Sequence, residues 1–126
     1  MTLSPQLLSL SVVLATYNER DNLGPMLEQL KALLGERYQL ELIVVDDDSP
    51  DGTSELVRQL ARQDPRIHLI RRVGRSGLSS AIREGLLAAC GDVAVVMDAD
   101  GQHEPEAVQR AVDRLLTSDL DLVMGS

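Results

Sequence analysis

Short runs that are apolar on both faces alternate along this chain with longer stretches in which apolar residues recur every three or four positions. The runs Leu10–Ala15 (LSVVLA), Leu40–Val45 (LELIVV), Ile67–Ile70, Val93–Met97 (VAVVM) and Leu120–Met124 predict strands. Between the first two, Leu23, Met26, Leu27, Leu30, Leu33 and Leu34 form one helical stripe, with Asn22 as its expected cap and Gly35 as its end. Leu56, Val57, Leu60 and Ala61 form a second, opened at Asp51 or Gly52, with Glu55 in its first turn, and stopped by Asp64-Pro65. Leu78, Ala81, Ile82, Gly85, Leu86 and Ala89 form a third, with Gly91 where a C′ glycine belongs. Pro105 fits the first turn of a fourth, carried by Ala107, Val108, Ala111, Val112, Leu115 and Leu116. The order βαβαβαβαβ predicts an α/β fold, a mostly parallel sheet with helices on both faces, Rossmann-like in kind.

Composition narrows the picture. A chain of 126 residues has room for one domain over 1–126, and 44% hydrophobic with 25% charged residues excludes disorder, collagen and coiled coil. Acids outnumber bases 20 to 12, so the net charge of −8 argues against nucleic acid as a partner. The single cysteine, Cys90, excludes an internal disulfide framework and suits a reducing compartment; it reads as a small buried residue at a helix end. No stretch approaches the ~20 apolar residues of a membrane span. No basic segment precedes Leu7, Leu8 and Leu10, so a secretory signal is not expected. The expectation is a soluble cytoplasmic chain, with peripheral contact at the cytoplasmic face of a membrane left open. Because the last strand runs out at Ser126, the sequence is expected to be the N-terminal half of a longer protein or a truncated form.

In open α/β sheets ligands bind beyond the carboxyl ends of the strands. Those positions hold Thr16-Tyr17-Asn18-Glu19, then Asp46 to Thr53, then Arg71 to Gly77, then Asp98 to His103. Asp98 and Asp100 flank a small residue, and alternate residues of extended chain point the same way. Two such carboxylates make a half-site for a hard divalent cation, to which Gln102 could add a carbonyl oxygen; a solvated acidic turn is the plainer reading. Asp46, Asp47 and Asp48 crowd three like charges that need compensation. Asp51 is the expected cap of the helix that follows, and Asp47 is the acid favoured for a ligand role. Tyr17 can pack on a nucleobase or cover the sheet edge. Arg71, Arg72 and Arg75 can meet a diphosphate or neutralise the aspartates. His103 reads as a surface or capping residue. There is no Walker loop, no G-x-G-x-x-G after the first strand, and no Ser-His-Asp or Cys-His set.

VVLATYNERDNL, ELIVVDDDSPDGT, GLSSAIREG, GDVAVVMDADGQHEPE and DLVMGS, taken in order from about Ser11 to Ser126, resemble the family 2 glycosyltransferases of GT-A fold, and within them the dolichyl- and polyprenyl-phosphate mannosyltransferases. The resemblance implies a nucleotide-sugar donor, GDP-mannose foremost, a lipid-phosphate acceptor, and inversion at the transferred sugar. It implies that Ala15, Tyr17 and Glu19 line the base pocket and that Val45 and Asp47 contact the nucleoside. It makes Asp98 and Asp100 the catalytic pair, binding Mg²⁺ or Mn²⁺ with Gln102 at the donor diphosphate, and lays Ala99 along the donor by its backbone. The sequence departs from the family pattern at Ala15 and Glu104, where proline is usual, and at Ser76, where lysine is usual. Family members also continue past Ser126 into an acceptor-binding part. Two other readings stand beside this one. The chain could be a nucleotide-sugar-binding module that transfers nothing by itself, or a receiver-type signalling domain of similar length. The second fits poorly, because the acids follow the second and fourth strands and the one lysine, Lys31, lies in the first helix.

Overall fold

A computed structural model describes residues 8–74, 76–98, 110 and 122–124. The elements run β1 (Ser9–Thr16), α1 (Arg20–Leu34), β2 (Gln39–Asp46), α2 (Thr53–Gln63), β3 (Ile67–Arg71), α3 (Leu78–Ala88), β4 (Val93–Asp98) and β5 (Leu122–Met124). All strand pairs are parallel, in the order β3-β2-β1-β4-β5. The helix expected from Pro105 lies outside the described residues except for Arg110, which is helical.

The two faces of the sheet are covered by different helices. Leu10, Val12 and Leu14 of β1 with Leu42 and Val44 of β2 pack on the stripe Leu23, Met26, Leu27, Leu30 and Leu34 of α1 and on Val57 of α2. The alternate residues Val13, Ile43, Val45 and Val96 face α3 through Ala81, with Ile82 and Leu86 partly buried beside them. This alternation is the period of extended chain, with both faces apolar because both are covered. Gly85 sets how close α3 lies: a Cβ there would come within 2.3 Å of Val13 Cγ1 and 3.2 Å of Val45 Cγ2.

Strand order settles the signalling alternative. A receiver has the flavodoxin-like order 2-1-3-4-5, whereas this sheet runs 3-2-1-4-5 and reverses direction between β1 and β4. The crevice for a ligand lies outside the carboxyl ends of strands at such a switch point.

Three local expectations are corrected. α1 starts at Arg20 with Glu19 at the cap position, and Asn22 lies in the first turn, donating from Nδ2 to Glu19 Oε2 at 2.9 Å. The helix opens earlier because the Glu19 carbonyl already accepts from the Asn22 and Leu23 amides. α3 ends at Ala88 with Ala89 extended, so Gly91 is not its C′ residue. Gly91 instead passes against β1, where a Cβ would stand 2.8 Å from the Ser11 nitrogen and where its own N–H donates to Ser11 Oγ. Cys90 is exposed rather than buried, because the chain leaves the helix before reaching it.

Candidate functional site

The loops after β1 and β2 are tied into one platform by Asp46. Its carboxylate is fully buried at the last position of β2. It accepts from Thr16 Oγ1 at 2.9 Å, Ser49 N at 3.1 Å, Ser49 Oγ at 2.5 Å and Ser54 Oγ at 2.7 Å. Four donors fill the acceptor capacity of a carboxylate, which is what its burial requires. Ser49 Oγ also accepts from the Asn18 amide at 2.8 Å, and the Asp47 amide donates to the Thr16 carbonyl. Asn18 and Asp48 both have positive φ, a conformation that these two residue types tolerate better than most. Asp51 accepts from the Arg20 amide at 3.1 Å and from the Thr53 amide and hydroxyl, joining the starts of α1 and α2. Burial pushes the Asp51 carboxyl up, but these hydrogen bonds outweigh it and hold the group below its usual range.

The three neighbouring acids thus have three different partners. Asp46 is a structural acceptor, Asp48 pairs with the exposed Arg71 at 2.5 Å, and Asp47 Oδ1 stands 2.9 Å from Nε of the buried Arg72. Of the two roles open to the arginines, Arg71 and Arg72 both neutralise aspartates. Arg75 lies outside the described residues.

Beside this platform a cavity of about 170 Å³ is lined by Ala15, Thr16, Tyr17, Asp47, Leu78 and Ala81. It has apolar walls and one carboxylate, and its size suits a flat ring rather than a whole nucleotide sugar. It brings together Ala15, Tyr17 and Asp47 from the sequence-derived set. Tyr17 is 56% exposed and belongs to neither buried core cluster. Glu19 is half-buried at the start of α1 and its carboxylate is engaged by Asn22. Val45 lies beneath α3 in the core and does not line the cavity. Thr16, Leu78 and Ala81 are wall residues that the sequence reading did not single out. Leu78 looked like the first residue of an ordinary helical stripe, yet it is 54% exposed.

Asp98 closes β4 and is the register partner of Ala15, which also pairs with Val45 across β1 and β2. The row Val45–Ala15–Asp98 therefore crosses the switch point next to the cavity. Ala99, Asp100, Gln102 and His103 lie outside the described residues. Among the described residues no group of three or more His, Cys, Asp or Glu side chains could hold a metal ion. A larger cavity of about 470 Å³ opens at the opposite edge of the sheet, among Ser9, Tyr38, Gln39, Arg66 and Cys90. It sits at the amino ends of β1 and β2, away from the switch point.

A doubly wound parallel sheet with a carboxylate and an apolar slot at its switch point is the arrangement in which open α/β proteins bind ligands. The sequence matches the family described as Glycosyl transferase family 2 over residues 11–126, and the chain belongs to that family. It is 43% identical over 120 residues to a dolichol-phosphate mannosyltransferase of Pyrococcus furiosus, covering 94% of this chain and 33% of that protein. It is 40% identical over 119 residues to a polyprenol monophosphomannose synthase of Mycolicibacterium smegmatis, covering 91% and 43%. The chain thus spans a third to somewhat under half of these relatives. Among solved structures, a mannosyltransferase from Pyrobaculum calidifontis in complex with GDP-Man and Mn²⁺ superposes with a TM-score of 0.65 at 30% identity, over 90% of this chain and 34% of that one. Glucosyl-3-phosphoglycerate synthase of Mycobacterium tuberculosis superposes with a TM-score of 0.71 at 25% identity, over 89% and 42%. No described helix is long and apolar enough to cross a membrane.

Proposed function

We propose that residues 1–126 form the donor-binding domain of a glycosyltransferase that moves mannose from GDP-mannose to a polyprenyl or dolichyl phosphate. The observation that carries this reading is the slot of Ala15, Tyr17 and Asp47 lying beside the register row that ends in Asp98. Tyr17 packs on the base, and Asp47 accepts hydrogen bonds from the nucleoside. Glu19 and Val45 support that pocket, and Ala99 runs along the donor. The names of the mannosyltransferase relatives and the GDP-Man complex favour guanine and mannose over uracil and glucose.

Asp98, Asp100 and Gln102 supply two carboxylates and an amide oxygen, a donor set that fits a hard cation such as Mg²⁺ or Mn²⁺. A cation held by these residues would neutralise charge on the donor diphosphate. The bond between C1 of the sugar and the diphosphate oxygen breaks, its electron pair leaving with GDP. A lipid-phosphate oxygen forms the new bond from the opposite side and inverts C1. A phosphate monoester is already anionic near neutral pH, so no histidine base is needed. Such an acceptor would bring the working protein to a membrane surface.

Thermal unfolding of this chain with GDP, UDP and GDP-mannose, each with and without Mn²⁺, tests the donor assignment. Ligands that bind the native state raise its melting temperature by mass action. The expected order is GDP-mannose with Mn²⁺ and GDP with Mn²⁺ above UDP. No shift with any nucleotide at millimolar concentration overturns the reading.

A further inference from the structure

Arg72 heads the largest fully buried side chains among the described residues, with no exposed surface at all. It follows β3 directly. Its amide donates to the Asp46 carbonyl at 2.8 Å and its Nη2 to Ser80 Oγ at 2.9 Å. Its Nε lies 2.9 Å from Asp47 Oδ1 and 3.4 Å from Glu84 Oε2. Its Nη1 is buried with no hydrogen-bond partner among the described residues, and the contact of Nε with Asp47 Oδ1 is an ion pair without hydrogen-bond geometry. Taking a guanidinium so far from water is costly, and an apolar side chain of similar volume commonly fills such a space with equal or better stability. Core packing alone therefore gives no reason for an arginine here.

The reason lies in what it does to Asp47. One oxygen of that carboxylate faces Arg72, and the other accepts the Gly77 amide at 3.2 Å. Both contacts come from the segment joining β3 to α3, and both fix the carboxylate at the wall of the slot. Asp47 Oδ1 is buried against Arg72, so Oδ2, which accepts one hydrogen bond from Gly77, is the oxygen left with a lone-pair direction for a ligand. A carboxylate already held in place gives up little freedom when a nucleoside donor meets it.

We propose that Arg72 is the positioning residue of the nucleoside slot, holding Asp47 for the base without touching the ligand itself. The inference rests on the nucleotide reading above and deepens it. The geometry also separates Arg72 from Arg71, whose partner Asp48 does not line the slot.

The test is a double-mutant cycle on the 126-residue chain, read by calorimetric binding of GDP in the presence of Mn²⁺. Asp47→Asn is expected to weaken binding about tenfold, the scale of one hydrogen bond to a charged group. Arg72→Met is expected to do the same, and the double variant to be no weaker than either single one. Arg72→Lys, which keeps the cation, is expected to recover part of the loss and serves as the informative variant should Arg72→Met not fold. Inorganic pyrophosphate with Mn²⁺ is expected to bind all variants alike, because it has no base. A second measurement needs no nucleotide: exchange of the Gly77 amide should quicken in Arg72→Met. Additive losses in the cycle, or a Gly77 amide that exchanges as before, overturn the positioning role. If no variant or parent binds GDP while Gly77 responds as expected, the nucleotide reading fails and the clamp on Asp47 stands.

Discussion

Ala15 and Asp98 are partners in the parallel register of β1 and β4, on the two sides of the point where the sheet reverses its winding. One lines the apolar slot and the other begins the acidic segment. A base held at the first and a diphosphate at the second would span this junction. Asp98→Ala and Asp100→Ala should therefore remove the Mn²⁺-dependent part of GDP binding while leaving the melting temperature of the free chain within a few degrees. Calorimetry with Mn²⁺ and then with EDTA measures this. Equal affinity in both conditions for the parent chain would remove the cation from the proposal.

Tyr17 is 56% exposed and packs on no core cluster. Tyr17→Ala should leave stability almost unchanged and weaken GDP binding by up to about tenfold, the range of an aromatic stacking contact. Urea unfolding together with GDP titration separates the two effects. A large loss of stability with unchanged affinity would make the tyrosine a structural cover.

Gly85 leaves no room for a methyl group, since its Cβ would lie 2.3 Å from Val13 Cγ1. Gly85→Ala should destabilise the chain by about 1–3 kcal/mol, the cost of overpacking a close helix–sheet contact. The urea midpoint reads this directly. Stability that rises instead, as helix propensity alone would predict, would show that α3 can lift off the sheet freely.

Asp46 accepts four hydrogen bonds while fully buried. Asp46→Ala would strand the hydroxyl of Ser54, release Ser49 and leave Thr16 Oγ1 with the Val45 carbonyl at 3.3 Å as its acceptor. A loss of about 2 kcal/mol or more is expected, since a stranded buried donor costs about 1–3 kcal/mol and the other lost hydrogen bonds to the carboxylate add to it. Amide exchange in the loops after β1 and β2 should quicken together, because Ser49 joins them through Asn18. Faster exchange confined to one loop would contradict the shared platform.

Asp64 governs the acid side of stability. Hydrogen bonds from the Arg66 guanidinium hold its carboxyl well below the usual carboxylate range; burial opposes this, and the Arg66 amide and Lys31 reinforce it. A carboxyl depressed in the folded state contributes stability that is fully present above its unfolded value of about 3.9. That contribution is lost as pH falls from there toward the folded value. Asp64→Asn should be less stable than the parent at pH 7, and the gap should narrow on acidification below about pH 4. Urea midpoints between pH 7 and pH 2 measure it. A gap that stays constant with pH would assign the effect to packing.

Much of the architecture could be read from local pattern. The stripe Leu23, Met26, Leu27, Leu30 and Leu34 is buried as its spacing requires, and the apolar runs are strands with ends within a residue or two. Where reading failed, a distant partner decided the outcome. Gly91 looked like a helix terminator, but it is glycine because Ser11 of β1 passes 2.8 Å from where its Cβ would be. Val45 fell beside the candidate acids in sequence yet points into the core, because Gly85 lets α3 close over it. Leu78 continued a helical stripe and became a wall of the slot.

The sequence by itself determined the alternation of strand and helix, since the periods of 2 and 3.6 are carried by neighbouring side chains. It also determined that acids gather after the second and fourth strands, and its ordered motifs pointed to the family. Only the tertiary structure decided the order of the strands, the face α3 covers, and which of three consecutive aspartates is structural, which is exposed and which borders the slot. Charge and hydropathy do not distinguish Asp46, Asp47 and Asp48 from one another, nor Arg71 from Arg72. What distinguishes them is the direction each points from a folded edge and the partner waiting there, and both are set by contacts between residues far apart in the chain.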